Sequence, residues 1–450
     1  MLDDLHHLIG PIYLVGGAVR NGLQNKPPTN DLNILVARPL YECQQLLTEK
    51  GYSPGIASSR HNVLFIPLKG CEKPKTVEIS TFRHRQGQPP SVEEDLLQRD
   101  ITINAMAYLW PNGPITDPFK GQEDLANRKI RLVNGAATLK DDPLRALRFF
   151  RFSLQLSFKP DSVDLARSSE TLVNDVIPER LRAELDRVFS FPLRTESDRK
   201  LFRYMLNTTL GVNLLPELDQ LKVIIDSGNP KQTLWERTIR TILSLSSIPN
   251  KEELSLLDLR WSALFIGISS TFGEREQLFS SAGLKAPHEE SPVCCKQILE
   301  KFCFSKRRQR RISNLLFHLN LDSTPSDRVL KRLLNDSIPL EGLYRLHYAW
   351  SQAGIPIDEL TPDSHRIAEE NLQDILSSCQ AIRKAKQRPR TNDLAISGGD
   401  ILNLVRKPPG PWLGELQNTL LDYIEKDSSR NNTETLEKKI YEWILEQETI

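Results

Sequence analysis

The sequence predicts an α+β chain, with a mixed strand-and-helix head at the N-terminus and an all-helical remainder. Two patterns carry this. Short β-rich runs, Ile12 to Val15, Leu32 to Val36, Asn62 to Leu68 and Thr76 to Phe82, alternate with turn-rich or helical stretches up to about Val133. From Asp141 onward, long amphipathic patterns such as Leu144 to Leu156, Glu179 to Phe189, Leu256 to Ile268 and Leu436 to Glu446 leave almost no convincing strand. Size agrees with several units: 450 residues at roughly 150 per domain gives about three. Clusters of Pro, Gly or Ser near Ser227 to Pro230, Pro287 to Pro292, Pro325 and Thr361 to Ser364 place soft boundaries near 132, 200 and 325.

Charge names no partner by itself. Lys plus Arg is 59 and Asp plus Glu 58, so neither a supercharged nucleic-acid coat nor an acidic tail is present, and any electrostatic argument must be local. Apolar residues at 39% and charged residues at 26% are ordinary for a folded chain and exclude long disorder. The first residues carry Asp3, Asp4, His6 and His7, unlike a secretory leader, and no uninterrupted apolar run approaches the ~18 residues that span a bilayer. A cytoplasmic protein without membrane contact is therefore expected. Of the Cys residues, Cys294, Cys295 and Cys303 lie close together but lack a fourth ligand at finger spacing; buried helix thiols are expected there rather than zinc.

The first chemical signal is Tyr13-Leu-Val-Gly16-Gly17-Ala-Val-Arg20, a β-run entering a Gly pair and then a helical pattern. Glycines let backbone approach a ligand, and a helix start offers N–H groups to a triphosphate. A plain strand-to-helix turn explains the pair equally well when taken alone. In Asp31-Leu32-Asn33-Ile34-Leu35-Val36, the two-residue period of a strand sends Asp31 and Asn33 to one face and Leu32, Ile34 and Val36 to the other. The run Thr76 to Arg83 offers Glu78 between apolar neighbours. If the two strands pair, Asp31, Asn33 and Glu78 form an oxygen cluster of the kind that holds Mg²⁺ for in-line phosphoryl transfer; polar residues at strand ends are the alternative.

Five motifs in order then decide between these readings. Gly16-Gly17-Ala18-Val19-Arg20, the Asp31-x-Asn33 strand, Glu78, Gln98-Arg99-Asp100-Ile101-Thr102-Ile103-Asn104-Ala105 and Asp141-Asp142-Pro143-Leu144-Arg145 resemble the class II tRNA nucleotidyltransferase and bacterial poly(A) polymerase family over at least residues 10 to 190. Ile396 to Ile401 and Lys407 to Trp412 look like the tail of CCA-adding members. The resemblance implies a polymerase β-like nucleotidyltransferase head with a small mixed sheet (1–132), a helical neck that recognises the nucleobase (133–200), an RNA-binding helical body (201–325) and a tRNA-binding helical tail (326–450). It implies addition of C, or C and A, to tRNA 3′ ends from CTP and ATP without a nucleic-acid template, by two-metal phosphoryl transfer with Mg²⁺.

By the same resemblance, Gly16, Gly17 and Arg20 seat the triphosphate, Asp31, Asn33 and Glu78 are the catalytic metal ligands, and Arg99, Asp100 and Asn104 recognise ribose and triphosphate. A capping or ion-pair role stays open for each of the last three. Asp142 and Arg145 match the protein template; three residues apart, they would share a helix face and present an acceptor and a forked donor to the base of CTP or ATP. Arg148 and Arg151 extend that face, toward phosphate or simply toward solvent. Lys296, Lys301, Lys306, Arg307, Arg308, Arg310 and Arg311 face only Glu300 in opposition, and a second basic cluster is Arg383, Lys384, Lys386, Arg388 and Arg390. Contact with the acceptor arm of tRNA fits both, as does an exposed charged helix face.

Departures from the family pattern concentrate at the chemical site. Asn33 replaces the second metal-binding Asp, which removes one negative charge from a hard-cation site. Asn21 stands where Asp is usual and Gln98 where Arg is usual. The stretch from Arg83 to Arg99 is short for members that switch from C to A, which suggests restricted nucleotide choice. No His-Asp dipeptide occurs, so an appended phosphohydrolase domain is not suggested. Two readings follow: a nucleotidyltransferase slowed by Asn33, or a catalytically impaired relative that binds RNA.

Overall fold

The computed structural model describes residues 1–27, 29–58, 63–68, 76–83, 85–87, 89–226, 229–245, 256–271, 293–317, 340–355, 374, 377–378, 381 and 391–448. The cluster Arg383, Lys384, Lys386, Arg388 and Arg390, together with Cys71, Cys379, the expected boundary at 325 and the breaks at Pro287 to Pro292 and Thr361 to Ser364, lies outside these. The chain divides into two compact units, Met1–Asp322 with Glu341–Ala368, and Ser323–Leu340 with Glu369–Ile450.

The first unit opens with a seven-stranded sheet. Its strands are β1 (Ile12–Val15), β2 (Asp31–Val36), β3 (Gly55–Ser58), β4 (Val63–Pro67), β5 (Thr76–Thr81), β6 (Ala107–Leu109) and β7 (Ile115–Thr116), in the order β3-β4-β5-β2-β1-β6-β7. Only β2 and β5 run parallel, with Asn33 opposite Glu78; the other ladders are antiparallel. All four sequence-predicted strands form, because each alternates side chains between one fully packed face and one partly covered face. On one face Ile12, Leu32, Ile34, Val36, Leu64, Ile66, Val77 and Ile79 pack against helices α1 (Leu2–Ile9) and α3 (Leu40–Glu49) through Leu5, Ile9, Cys43 and Leu47. Fully burying such aliphatic side chains contributes about 1.5–3 kcal/mol each, so a one-residue slip of β2, which would turn Leu32, Ile34 and Val36 outward, is strongly disfavoured. The opposite face is only partly covered, by Val92 and Leu96 of α4 (Val92–Leu97), Ala105 and Val133. The short α2 (Gly17–Leu23) follows β1 directly.

Beyond the sheet come α5 (Gly121–Ala126), α6 (Gly135–Asp141), α7 (Leu144–Leu156), α8 (Ser162–Ser169), α9 (Pro178–Ser190), α10 (Glu196–Asn207), α11 (Thr209–Leu214), α12 (Leu218–Val223), α13 (Leu234–Ser244), α14 (Leu256–Thr271), α15 (Val293–Lys301), α16 (Lys306–Phe317) and α17 (Leu340–Gly354). This part is not purely helical. Two short ladders interrupt it: β8 (Lys129–Ile130) pairs in parallel with β9 (Lys159–Pro160), and β10 (Ile225–Asp226) pairs with β11 (Asn229–Thr233). Elements this short bury too little to leave a periodic signature in sequence.

α7 is the packing hub, with Phe149 and Phe150 fully buried. α9 ends against α14: the fully buried Arg260 guanidinium donates to the carbonyls of Phe189 (2.8 Å) and Phe191, supplying donors that the helix end lacks. Burial pushes Arg260 down to about 10, so it remains a cation at neutral pH. Trp261, also fully buried, meets Phe189, Phe265, Phe302 and Phe304. Cys295 is buried as expected, but Cys303 is exposed. It sits just past the end of α15 with a left-handed φ of 52°, so its side chain points out of the turn rather than into a helix interface.

The second unit packs α18 (Gly398–Val405), α19 (Pro411–Lys426) and α20 (Thr433–Glu448) around Ile401, Leu416, Leu420, Ile424, Leu436 and Ile440. Ser397 and Asp400 form a reciprocal capping box at the start of α18, and Pro411 occupies the first turn of α19, where a missing N–H costs nothing. Among the described residues no helix is long and apolar enough to cross a membrane.

Gly267 gives a test of the α13–α14 contact. A Cβ there would lie 2.1 Å from Thr238 Oγ1, which is itself tied at 2.7 Å to the Leu234 carbonyl. In an exposed helix Gly→Ala stabilises by about 1 kcal/mol; here overpacking of about 1–3 kcal/mol should win. Gly267→Ala is expected to lower the thermal midpoint, measured by circular dichroism, whereas a rise would show that the two helices have room to separate.

Candidate active site

The sheet register assembles the first part of the site. β1 ends at Val15, and continuing its antiparallel register past Leu14 opposite Ile34 brings Gly16 and Gly17 beside the start of β2. Gly16 has φ 66° and ψ −127°, a backbone conformation closed to residues with a Cβ. Gly17 has no room for one either: a Cβ would lie 2.8 Å from Thr29 Cγ2, while Thr29 Oγ1 donates to the Asp31 carbonyl at 2.6 Å. The glycine turn and the first residue of β2 are thus stitched together.

Asp31 and Asn33 project from β2 on the partly covered face, and Glu78 joins them from β5 opposite Asn33. Asp31 is exposed; Asn33 and Glu78 are half-buried. Burial first, then the negative charge of Asp31, push the Glu78 carboxyl above its ordinary range. The repulsion is one that a cation between the carboxylates would relieve, and the donors are all oxygen, so this set fits a hard divalent ion. It carries two carboxylates and one amide; among the described residues no group of three Asp, Glu, His or Cys side chains is arranged for a metal.

Arg99 reaches this turn from another element. Its Nε and Nη2 donate to Asp95 at 3.0 and 2.9 Å, while Nη1 lies 3.6 Å from the position of a Cβ on Gly16. Asp95 is fully buried and also accepts from the Arg83 backbone N–H at 3.0 Å and the Arg83 Nε at 2.9 Å. Burial pushes its carboxyl up, but Arg99 and Arg83 together hold it below the usual range. The sequence reading missed Asp95 and Arg83. The signal available was an acidic first turn, Glu93-Glu94-Asp95, after the N-cap Ser91, and that pattern serves helix capping equally well.

Arg20 and Asn104 turn toward each other rather than outward. Arg20 Nη1 donates to Asn104 Oδ1 at 2.6 Å, and both residues are buried. Burial lowers the Arg20 pKa, with Asp100 opposing that shift. The pair fastens α2 to the turn Thr102–Asn104. Asn21, where the family has Asp, accepts from Arg20 Nη2 at 3.2 Å and donates to the Pro27 carbonyl at 2.9 Å, sewing the following loop to α2.

Asp100 is buried and accepts from Arg148 Nε and Nη2 (2.8 and 2.6 Å) and from the Ile101 N–H (2.9 Å). Burial alone would raise it; Arg148 overrides that and holds the carboxyl well below the usual carboxylate range. Arg148 also reaches Glu184 at 3.4 Å, and Arg151 meets Glu184 at 2.6 Å while stacking on Phe152 at 3.9 Å. Arg148 and Arg151, expected to extend the base-reading face toward phosphate or solvent, are instead tied to buried carboxylates. Arg151 is buried, and Glu184, itself buried and not predicted, gathers Arg148, Arg151 and Arg187 between α7 and α9.

Asp142 and Arg145 are neighbours, but not on one helix face. Asp142 precedes α7 in extended conformation (φ −150°, ψ 102°), because Pro143 favours extended backbone in the residue before it. Its Oδ1 accepts the Leu144 N–H at 3.2 Å and its Oδ2 accepts Arg180 Nη2 at 2.7 Å. Arg145 donates through Nη1 to the Thr138 carbonyl (3.1 Å) and through Nη2 to the Gln98 carbonyl (2.7 Å).

The basic helix α16 divides. Arg308 turns inward to Asp186 (2.6 Å) and Asp258 (2.9 Å), and Arg311 to Asp258 (2.9 Å), so these two hold α9, α14 and α16 together instead of forming a free RNA surface. Arg307 and Arg310 are exposed and have no partner among the described residues. The buried Asp258 and the partly buried Asp186 claim the arginines that lie on their side of the helix.

Residues 12–131 match the family model described as the poly(A) polymerase head domain, and residues 288–440 the one described as a putative tRNA nucleotidyltransferase domain 2. The chain is 26% identical to a CC-adding tRNA nucleotidyltransferase of Halalkalibacterium halodurans over 97% of this chain and 93% of that one. It is 33% identical to a multifunctional CCA protein of Cupriavidus metallidurans over 47% of this chain and 52% of that one, so the match spans about half that relative's length. In fold it is similar to the Bacillus stearothermophilus CCA-adding enzyme solved in complex with CTP, with a TM-score of 0.56 and 19% identity, over 99% of this chain and 96% of that one. With a glycine turn, an Asp-x-Asn strand paired to Glu78 and two family models in the expected order, the chain belongs to the class II tRNA nucleotidyltransferase and poly(A) polymerase family.

Proposed function

We propose that the chain adds C, or C and A, to the 3′ end of tRNA without a nucleic-acid template. In the reaction the RNA 3′-oxygen bonds to the α-phosphorus of the nucleotide, the bond to the β-phosphate oxygen breaks, and pyrophosphate leaves. The observation that carries this is the β2–β5 register, which puts Asp31, Asn33 and Glu78 on one face beside the Gly16–Gly17 turn. The near full-length match to a CC-adding relative supports C as the first nucleotide. A cytoplasmic site of action goes with this reading.

Each residue then has a physical task. The backbone at Gly16 and Gly17 and Nη1 of Arg99 receive the triphosphate, whose charge a half-committed guanidinium suits. Asp100 and Asn104 stand at the ribose, although Arg148 and Arg20 already occupy part of their hydrogen-bonding capacity. Asp142 offers acceptors and Arg145 donors to the base. Asp31, Asn33 and Glu78 would hold Mg²⁺, which when bound neutralises charge on the phosphates and lowers the pKa of the RNA hydroxyl. Arg307 and Arg310 contribute cations toward the acceptor arm.

The test is incorporation of labelled CTP and ATP into tRNA lacking CCA. The natural protein should incorporate C, Asn33→Asp should be faster by about tenfold or more because a third carboxylate faces the cation, and Asp31→Ala should be inactive. An inert natural protein with an active Asn33→Asp variant would instead favour the RNA-binding relative. Equal rates would remove Asn33 from the metal site.

For the RNA surface, a double Arg307→Ala, Arg310→Ala variant should weaken tRNA binding and reduce the slope of log affinity against log salt by roughly 1–2, with little change in thermal midpoint. Arg308→Ala should do the reverse. It leaves Asp186 and Asp258 short of a partner and so lowers the midpoint. Filter binding across a salt series, with circular dichroism on the same samples, separates the two.

A further inference from the structure

The Asp142–Arg180 pair joins two elements far apart in sequence, and folding does not need it. Its side chains are 26% and 50% exposed, and an ion pair this open contributes little to stability. What it does fix is direction. Asp142 lies in extended backbone ahead of α7, and among the described residues its carboxylate otherwise accepts the Leu144 N–H at 3.2 Å. A carboxylate has about four acceptor positions, so with Arg180 and Leu144 in place two remain free. Arg145 beside it is fixed in the same manner, by the carbonyls of Thr138 and Gln98, and keeps donors to spare.

We infer that Arg180 is the positioning residue of the base-reading pair: from α9 it holds the Asp142 carboxylate turned so that its free lone pairs accept from an amino-bearing base, and it thereby favours C and A over U and G. Cytosine and adenine each present an exocyclic amino group next to a ring nitrogen acceptor, which complements a carboxylate beside a guanidinium. Uracil and guanine present a carbonyl next to a ring N–H, which sets acceptor against acceptor and donor against donor. A mismatch of that kind discriminates only if the protein groups cannot swing away. The Arg180 Nη2 bond to Asp142 Oδ2 at 2.7 Å, and the backbone carbonyls that hold Arg145, supply that constraint. The inference rests on the reading that Asp142 and Arg145 meet the base.

The test is equilibrium binding of CTP, ATP, UTP and GTP to the full chain by titration calorimetry, for the natural protein and for Arg180→Met, Arg180→Lys and Asp142→Ala. Arg180→Met should reduce the ratio of CTP to UTP affinity roughly fivefold to tenfold, mainly through loss of CTP affinity, with an unchanged thermal midpoint. Arg180→Lys should recover part of the ratio, since it keeps the charge but not the fork. If Asp142→Ala lowers the ratio and Arg180→Met does not, the positioning role is overturned while base reading by Asp142 stands. An unchanged ratio in Asp142→Ala overturns the base-reading premise and the inference with it. A fall in midpoint for Arg180→Met with equal loss for all four nucleotides would mark the contact as structural and also overturn the inference.

Discussion

The parallel ladder between β2 and β5 is the constraint on which the site depends. Leu32, Ile34, Val36, Val77 and Ile79 fill one face of the sheet against α1 and α3, and a strand offers alternate residues no third direction. Asp31, Asn33 and Glu78 are therefore driven to the partly covered face together. Moving either strand by one residue would bury carboxylates and expose the aliphatic row, at a cost far larger than the repulsion between Asp31 and Glu78. The head thus holds two like charges close together because hydrophobic burial outweighs their mutual cost.

Around that face, the fold builds a scaffold of buried carboxylates that each hold more than one arginine. Asp95 gathers Arg83 and Arg99, Glu184 gathers Arg148, Arg151 and Arg187, and Asp258 gathers Arg308 and Arg311. A buried carboxylate is expensive unless paired, and a guanidinium has five donors to share. Each hub thus orients several side chains at once. The near-zero net charge of the chain has a structural counterpart here, since many of the cations that could have faced nucleic acid are spent internally. Those left outward, such as Arg307 and Arg310, stand out against that background.

The strands, the long helices and the glycine turn were legible because each depends on a local period or on one residue type. Leu144–Leu156 has the bounds its amphipathic pattern predicts, and Gly16 takes the positive φ that its place between strand and helix suggests. Asn33 was legible too, as an amide where the family pattern has a carboxylate, and the register sets it opposite Glu78. The short ladders β8–β9 and β10–β11 were not, since two to five residues carry no readable period.

The order of motifs and the alternation of apolar and polar residues, properties of neighbours along the chain, were enough to determine the head, the strand that carries Asp31 and Asn33, and the family. Which guanidinium meets which carboxylate was decided only by the tertiary structure. Asp142 and Arg180 are 38 residues apart and Arg308 and Asp186 are 122 apart, with nothing local to relate them. An arginine in sequence is a long cation with several possible directions. It becomes a structural tie or a ligand-facing group only when packing sets how much water each carboxylate within reach has lost.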